Sequence, residues 1–333
     1  MNEPRGGSGP DATERPKRHA WSQRLRFSIG AAVVGVAFYF LVSRLVRDWN
    51  QIPFHELHFA PVLLILSFAV LLLLHFPLGG YAWKQILAGM GERLPLTRAT
   101  AIMTVTQLGK YIPGKLWFTL GRVSLCKREG ISEAKTLVSV LVEVALQLLA
   151  AVLLLGIALL AVPRSSVPGP VYLFLLLAPL CFVAIYPPIL NWALRLVLRR
   201  LKRPGFELEL SYGRMAWITG TYLADWTIQG IGCFILINSF YPLPLAKLPV
   251  MLGGYAISWM IGFLALVAPA GLGIREGIFS VILKMVMAAP VAIMSVLITR
   301  IWMSVSETAM ATVCLPIVSR RGRNNEANKT PEA

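Results

Sequence analysis

The chain has 333 residues, of which 56% are hydrophobic and 14% charged, against about 25% charged in an ordinary soluble domain. Its formal net charge is +16, from 32 basic and 16 acidic residues. The charges collect at the ends and in a few internal belts with long apolar stretches between them, which excludes a soluble globular protein. With no nucleic-acid-binding module in view, the basic excess points to anionic lipid headgroups as partners and not to nucleic acid.

In chain order, residues 1–20 are rich in Gly, Pro and charge and are expected to form a disordered cytoplasmic tail. Seven apolar runs follow: Leu25–Val46, Ala60–Gly80, Thr136–Val162, Pro170–Leu190, Met215–Phe240, Val250–Ala268 and Val291–Val318. Each is near or above the roughly 20 residues a helix needs to cross about 30 Å of hydrocarbon. The first follows Lys17, Arg18, Arg24 and Arg26 and has no small-residue cleavage site after it, so it reads as a retained anchor. The four cysteines, Cys126, Cys181, Cys233 and Cys314, are scattered and read as small buried hydrophobes. Residues 319–333 form a second polar tail.

Lys and Arg concentrate in cytoplasmic loops. Residues 1–26 carry six, 84–135 carry nine and 195–214 carry six, whereas 163–169 and 241–249 carry one each. Both termini are therefore expected in the cytoplasm of a cell-membrane protein. Seven crossings would place the termini on opposite sides, so at least one apolar run does not cross or a crossing is hidden.

Two segments have the wrong chemistry for plain spans. Leu94–Gly130 is centred on Gln107-Leu108-Gly109-Lys110-Tyr111-Ile112-Pro113-Gly114-Lys115-Leu116-Trp117. Val250–Val286 is centred on Ala268-Pro269-Ala270-Gly271-Leu272-Gly273-Ile274-Arg275-Glu276-Gly277. Each has an apolar half, a Pro/Gly break with charge beside it, and a second half. Pro removes a backbone donor and Gly relaxes the chain, so neither continues as one helix. Freed backbone groups at membrane depth survive only inside protein or against a watery cavity. Both segments are thus expected to be re-entrant helical hairpins. At an offset of 156 residues Pro113 falls on Pro269, Gly121 on Gly277, and Ser139-Val140-Leu141 on Ser295-Val296-Leu297. The expected fold is all-α and polytopic: about six full spans plus two re-entrant hairpins, in an inverted repeat with halves near 60–162 and 216–318. Inverted repeats with broken helices near the midplane belong to transporters.

These two motifs, with Arg122, the Gly130-Ile131-Ser132 turn and Arg300, resemble the flippase-like transmembrane region of lysylphosphatidylglycerol synthases over about residues 20–318. In the synthases that region is joined to a soluble aminoacyl-transferase domain, for which these 333 residues have no counterpart. The resemblance implies translocation of a phospholipid or lipid-linked headgroup and argues against lipid aminoacylation.

Ionisable groups at membrane depth cost about 2.5–3.5 kcal/mol on insertion scales and usually face a cavity or a partner. Glu143 has Gln147 one turn on, Asp225 has Gln229 one turn on, and Arg300 shares a face with Ser304 and Glu307. Arg275 and Glu276 follow the second break, and Lys110, Lys115 and Arg122 surround the first. One reading is a single polar cavity in which these groups, with Pro113, Pro269, Gly271 and Gly273 at the breaks, pass a headgroup. The other is internal ion pairing that pins helices, for instance Glu143 with Arg300. Tyr111 and Trp117 suit either stacking on a headgroup or interfacial anchoring. Glu307 is placed near the cytoplasmic end, and His75 is a lone satisfied polar residue. His55 and His58 lack further metal ligands. No catalytic constellation, cofactor motif or metal site is expected. Besides translocation, a second class remains open: a non-transporting partner that docks a lipid-modifying or glycosyl-transferring enzyme on its basic belts.

Overall fold

The computed structural model describes residues 57–111, 117–161, 210–264 and 273–327, with side chains as far as 319 in the last stretch, and isolated positions elsewhere. The apolar runs at 25–46 and 170–190, apart from a few isolated positions, and the break residues Pro113, Lys115, Pro269 and Gly271 lie outside these described residues. Among the described residues the structure is helical, without strands.

The first described helix, α1 (Pro61–Ala88), opens on a proline, whose missing N–H costs nothing at a helix start. It passes through one π-helical turn at Leu71–His75 and runs eight residues past the expected Gly80. α2 (Leu96–Gln107) ends in a 3-10 turn, Leu108–Tyr111, and α3 (Trp117–Arg128) follows the first break. Ser132 caps α4 (Glu133–Leu160) by accepting the Lys135 N–H at 3.3 Å, and Ser211 caps α5 (Tyr212–Asn238) in the same way. α6 (Leu248–Leu264) stops before the second break. α7 (Ile274–Leu283) starts from Gly273, whose φ of 86° is a left-handed value that favours glycine. There Glu276 turns back to accept the Gly273 N–H at 2.6 Å, a capping box closed by a carboxylate. α8 (Ala289–Ala327) is the longest helix at 39 residues.

Among the described residues four helices are long and apolar enough to cross a membrane: Pro61–Ala88, Glu133–Leu160, Leu245–Leu264 with its leading 3-10 turn, and Ala289–Ser319. α5 is as long but more polar, carrying Thr219, Thr221, Asp225, Thr227 and Gln229. Val62, Ile65 and Leu73 on α1, Leu160 on α4, and Ile301 and Val313 on α8 stay exposed. In lipid that exposure carries no penalty, because the tails are as apolar as the side chains. The chain is an all-helical membrane protein.

Glu133 and Ala289 open α4 and α8 at the 156-residue spacing seen in the sequence, and α3 and α7 begin within one residue of it. The packing repeats as well. α2 lies against α8, α6 against α4, and α1 against α5. The shared core gathers Phe76, Leu146, Tyr222, Tyr255 and Trp302, all buried.

α1 and α2 meet at glycine. A Cβ built on Gly80 would stand 2.1 Å from Thr100 Oγ1 and 2.7 Å from Thr100 Cα, a backbone atom that cannot swing away. Gly80→Val is therefore expected to push the helices apart and cost about 1–3 kcal/mol or more. Gly220→Ala on α5 meets nothing within 4 Å and is expected to be neutral or to gain up to about 1 kcal/mol from helix propensity. Thermal unfolding of the two variants in detergent, followed by chromatography, checks the contrast; equal midpoints would refute it.

Candidate functional site

The polar side chains inside this apolar frame fall into three groups. In the first, Arg122 on α3 is ion-paired with Glu143 on α4, and both are buried. The Arg122 guanidinium lies 4.9 Å from the Trp83 ring centroid, a cation–π contact, and its Nε approaches Thr106 Oγ1 at 3.4 Å. Gln147 donates to Glu143 Oε1 at 3.2 Å, and Trp226 Nε1 donates to the Gln147 carbonyl at 3.2 Å. Hydrogen bonds thus join α2, α3, α4 and α5, and α1 adds the cation–π contact of Trp83, which is how a buried ion pair is made tolerable.

The second group gathers where α2's 3-10 turn meets α7 and α8. Lys110 is ion-paired with Glu307 on α8. The Tyr111 hydroxyl donates to Glu307 Oε2 at 2.7 Å and stands 3.1 Å from Ser304 Oγ. Arg300 lies 5.7 Å from the Tyr111 ring centroid and 3.5 Å from Glu276 Oε1, and Arg275 lies 4.9 Å from the Tyr255 ring. Arg275, Glu276, Phe279, Thr299, Arg300 and Met303 line a small, partly open cleft with room for about one water molecule. Arg300 Nη2 is buried and has no hydrogen-bond acceptor among the described residues. Three cations (Lys110, Arg275 and Arg300) meet two carboxylates here, so the group carries an excess positive charge.

The third group is a surprise. His75, on the π-helical turn of α1, is not lone: its Nδ1 is 2.7 Å from Asp225 Oδ1 on α5, and Gln229 donates to Asp225 Oδ2 at 3.2 Å. Both members are buried, halfway along their helices.

Several expectations change. Glu143 does not pair with Arg300. It faces α3, its neighbour across a short turn, while Arg300 faces α7, whose capping carboxylate Glu276 is already turned inward. Each pair joins the second arm of a broken segment to the helix after it, with the sign reversed: cation on α3 and acid on α4, acid on α7 and cation on α8. Among the described residues the polar side chains find their partners within these three groups. Glu307 is no end residue: its side chain is 1% exposed and holds two partners from α2's turn. Trp117, the first residue of α3, is half exposed. Gly273 caps α7, and Pro113, Lys115, Pro269 and Gly271 lie outside the described residues. His75, Thr106 and Tyr255 join the site only in three dimensions. A polar residue midway along an apolar run was a signal for His75, since such a group needs a partner. Among the described residues no cluster of His, Cys, Asp and Glu could hold a metal ion, and Cys126, Cys233 and Cys314 are free and buried.

Helices long and apolar enough to cross a membrane, packed around buried ion pairs, define an all-helical membrane protein with charged groups in its interior. Within that class, the family described as the lysylphosphatidylglycerol synthase TM region matches residues 27–306, and the chain belongs to it. No curated protein matches the chain.

Proposed function

We propose that the protein is a translocator of a phospholipid or lipid-linked headgroup in the cell membrane, with both termini cytoplasmic. In this reading the two halves, near 60–162 and 216–318, are inverted repeats and the broken segments are re-entrant hairpins. The observation that carries it is the cleft beside Arg275, Glu276 and Arg300: a positively charged pocket between apolar helices, with an Arg300 nitrogen lacking an acceptor. Such a pocket suits an anionic headgroup, most simply a phosphate, since a guanidinium presents paired donors to phosphate oxygens. In this reading the headgroup meets these cations while the acyl chains stay in lipid. Lys110, Tyr111, Lys115 and Trp117 at the first break, and Pro113, Pro269, Gly271 and Gly273 as hinges, complete the path. Arg122, Glu143 and Asp225 line its other side.

The alternative, a non-transporting partner that docks an enzyme on its basic belts, draws less support. Of the belt cations, Arg98 is engaged with Glu129, Lys127 with Glu133 and Lys135 with Glu92 inside the chain.

Reconstitution in vesicles carrying fluorescent anionic, zwitterionic or polyprenyl lipids tests the proposal. The protein is expected to speed movement of an anionic class between leaflets, and Arg300→Ala to slow it at least tenfold, the loss of a bidentate contact worth about 1.4 kcal/mol or more. No movement with any lipid, or equal rates for Arg300→Ala, would overturn it. Function lost on charge reversal of Arg98, Lys127 and Lys135 but kept in Arg300→Ala would favour the docking alternative.

A further inference from the structure

We propose that His75 and Asp225 form a proton-binding site at mid-membrane depth, whose loading and unloading couples the protein's cycle to a proton gradient. The inference rests on the translocator reading for the cycle, but its proton chemistry stands on this pair alone.

The atoms dictate the protonation pattern. An ionised carboxylate only accepts hydrogen bonds. Asp225 Oδ1 lies 2.7 Å from His75 Nδ1, so Nδ1 carries the hydrogen, and Oδ2 is taken by the Gln229 amide. The tautomer is thereby set, and Nε2 is left with its lone pair. Nε2 is buried and has no hydrogen-bond partner among the described residues. In this state the pair bears one negative charge. A proton arriving from water at Nε2 makes an imidazolium beside the carboxylate, and the pair becomes neutral. Its departure from Nε2 to water restores the first state. Nothing else is consumed or formed.

The surroundings make that single charge matter. The helices packed against α1 carry Tyr222, Asp225 and Cys233 on α5, Glu143 on α4, Arg98 (paired with Glu129) on α2, and Arg300 and Glu307 on α8. Glu143 is neutralised by Arg122, Glu307 by Lys110, and Arg300 by Glu276. Arg214, the cation of α5, lies at that helix's first turn and bonds Gln85. Asp225 is thus the one carboxylate of this set whose partner is an imidazole, a group that can hold a hydrogen on one ring nitrogen or on both. A buried charge without a counter-charge is costly, so the loaded and empty states differ strongly in what they demand of the helices around them.

His75 also closes the π-helical turn Leu71–His75. Such turns hold one more residue than the α-helix provides for and recur at functional sites. A helix with a ready alternative register is an element a single proton can bias. The pair joins α1 to α5, the two helices that open the two halves, so a change here acts between the halves and not within one.

Full-length protein in nanodiscs, with histidine labelled at the ring nitrogens, gives the first test. Of the four histidines only His75 lies within a described apolar helix, and His75→Gln assigns its signal. The Nε2 resonance is expected to move as the buffer goes from mildly acid to mildly alkaline, and to lose that response in Asp225→Asn. Chromatographic homogeneity of both variants confirms folding. The second test is lipid movement in vesicles with and without a pH gradient. One proton per cycle corresponds to up to about a tenfold change in leaflet ratio per pH unit. That response is expected in the native protein and absent in His75→Gln. An Nε2 resonance that stays fixed across the range overturns the proton site. A moving resonance beside lipid movement indifferent to the gradient overturns the coupling. Absence of movement for every lipid sinks the translocator reading and the coupling with it, while a moving resonance still upholds the proton site.

Discussion

Glu143→Leu is expected to be among the most destabilising single substitutions in the protein, by about 3–5 kcal/mol. The change leaves Arg122, 3% exposed, without a carboxylate. It also takes from the Gln147 amide its acceptor on Glu143. A buried, unpaired guanidinium cannot shed its proton, so it must drag water inward or swing out of the α3–α4 contact. Neither is easy, because Trp83 covers its face and Thr106 its edge. The physical claim lies in the comparison with a double variant. Arg122→Met with Glu143→Leu replaces the pair by apolar groups of similar length and is expected to recover most of the loss, since two buried charges removed together leave nothing unpaired. Unfolding midpoints of the three proteins in one detergent, cross-checked by retained near-ultraviolet signal, decide it. A double variant as unstable as the single would mean that the network is held by shape and not by charge.

The second large effect is expected at Lys110→Met, which leaves Glu307 buried with the Tyr111 hydroxyl as its remaining described partner. The cost is again about 3–5 kcal/mol, the penalty of breaking one side of a buried pair. Tyr111→Phe removes one hydrogen bond but no counter-charge, and is expected to cost about 1–3 kcal/mol. The order is the prediction. If charge holds α2's 3-10 turn to α8, Lys110→Met is the worse variant, and Lys110→Met with Glu307→Leu regains most of the loss. If packing of the Tyr111 ring holds it, Tyr111→Phe is harmless and the double variant gains nothing. Denaturation curves for the native protein, these three variants and Glu307→Leu alone read the coupling between Lys110 and Glu307 directly, as the departure of the double variant from the sum of the two singles.

Much of this architecture was legible in the chain. The membrane and the helical class follow from the long apolar runs, because a bilayer tolerates few backbone conformations and each leaves a local mark. The Gly130-Ile131-Ser132 turn before α4 and the shared face of Arg300, Ser304 and Glu307 are likewise local, set within one segment. The family resemblance read from the two motifs agrees with the match over residues 27–306.

Pairing was not legible. Charge and membrane depth made Glu143 and Arg300 plausible partners, yet each took a nearer acid or base on an adjacent arm, Arg122 and Glu276. His75 and Asp225 stand 150 residues apart in the chain and 2.7 Å apart in the fold. Composition, breaks and caps are properties of a segment and its solvent, so the sequence alone determined them. Which buried charge meets which depends on how α1 packs on α5 and how α2 and α6 cross to the opposite half. Those contacts are set by the shapes of whole helix faces, such as Gly80 against Thr100, and only the tertiary structure decided them.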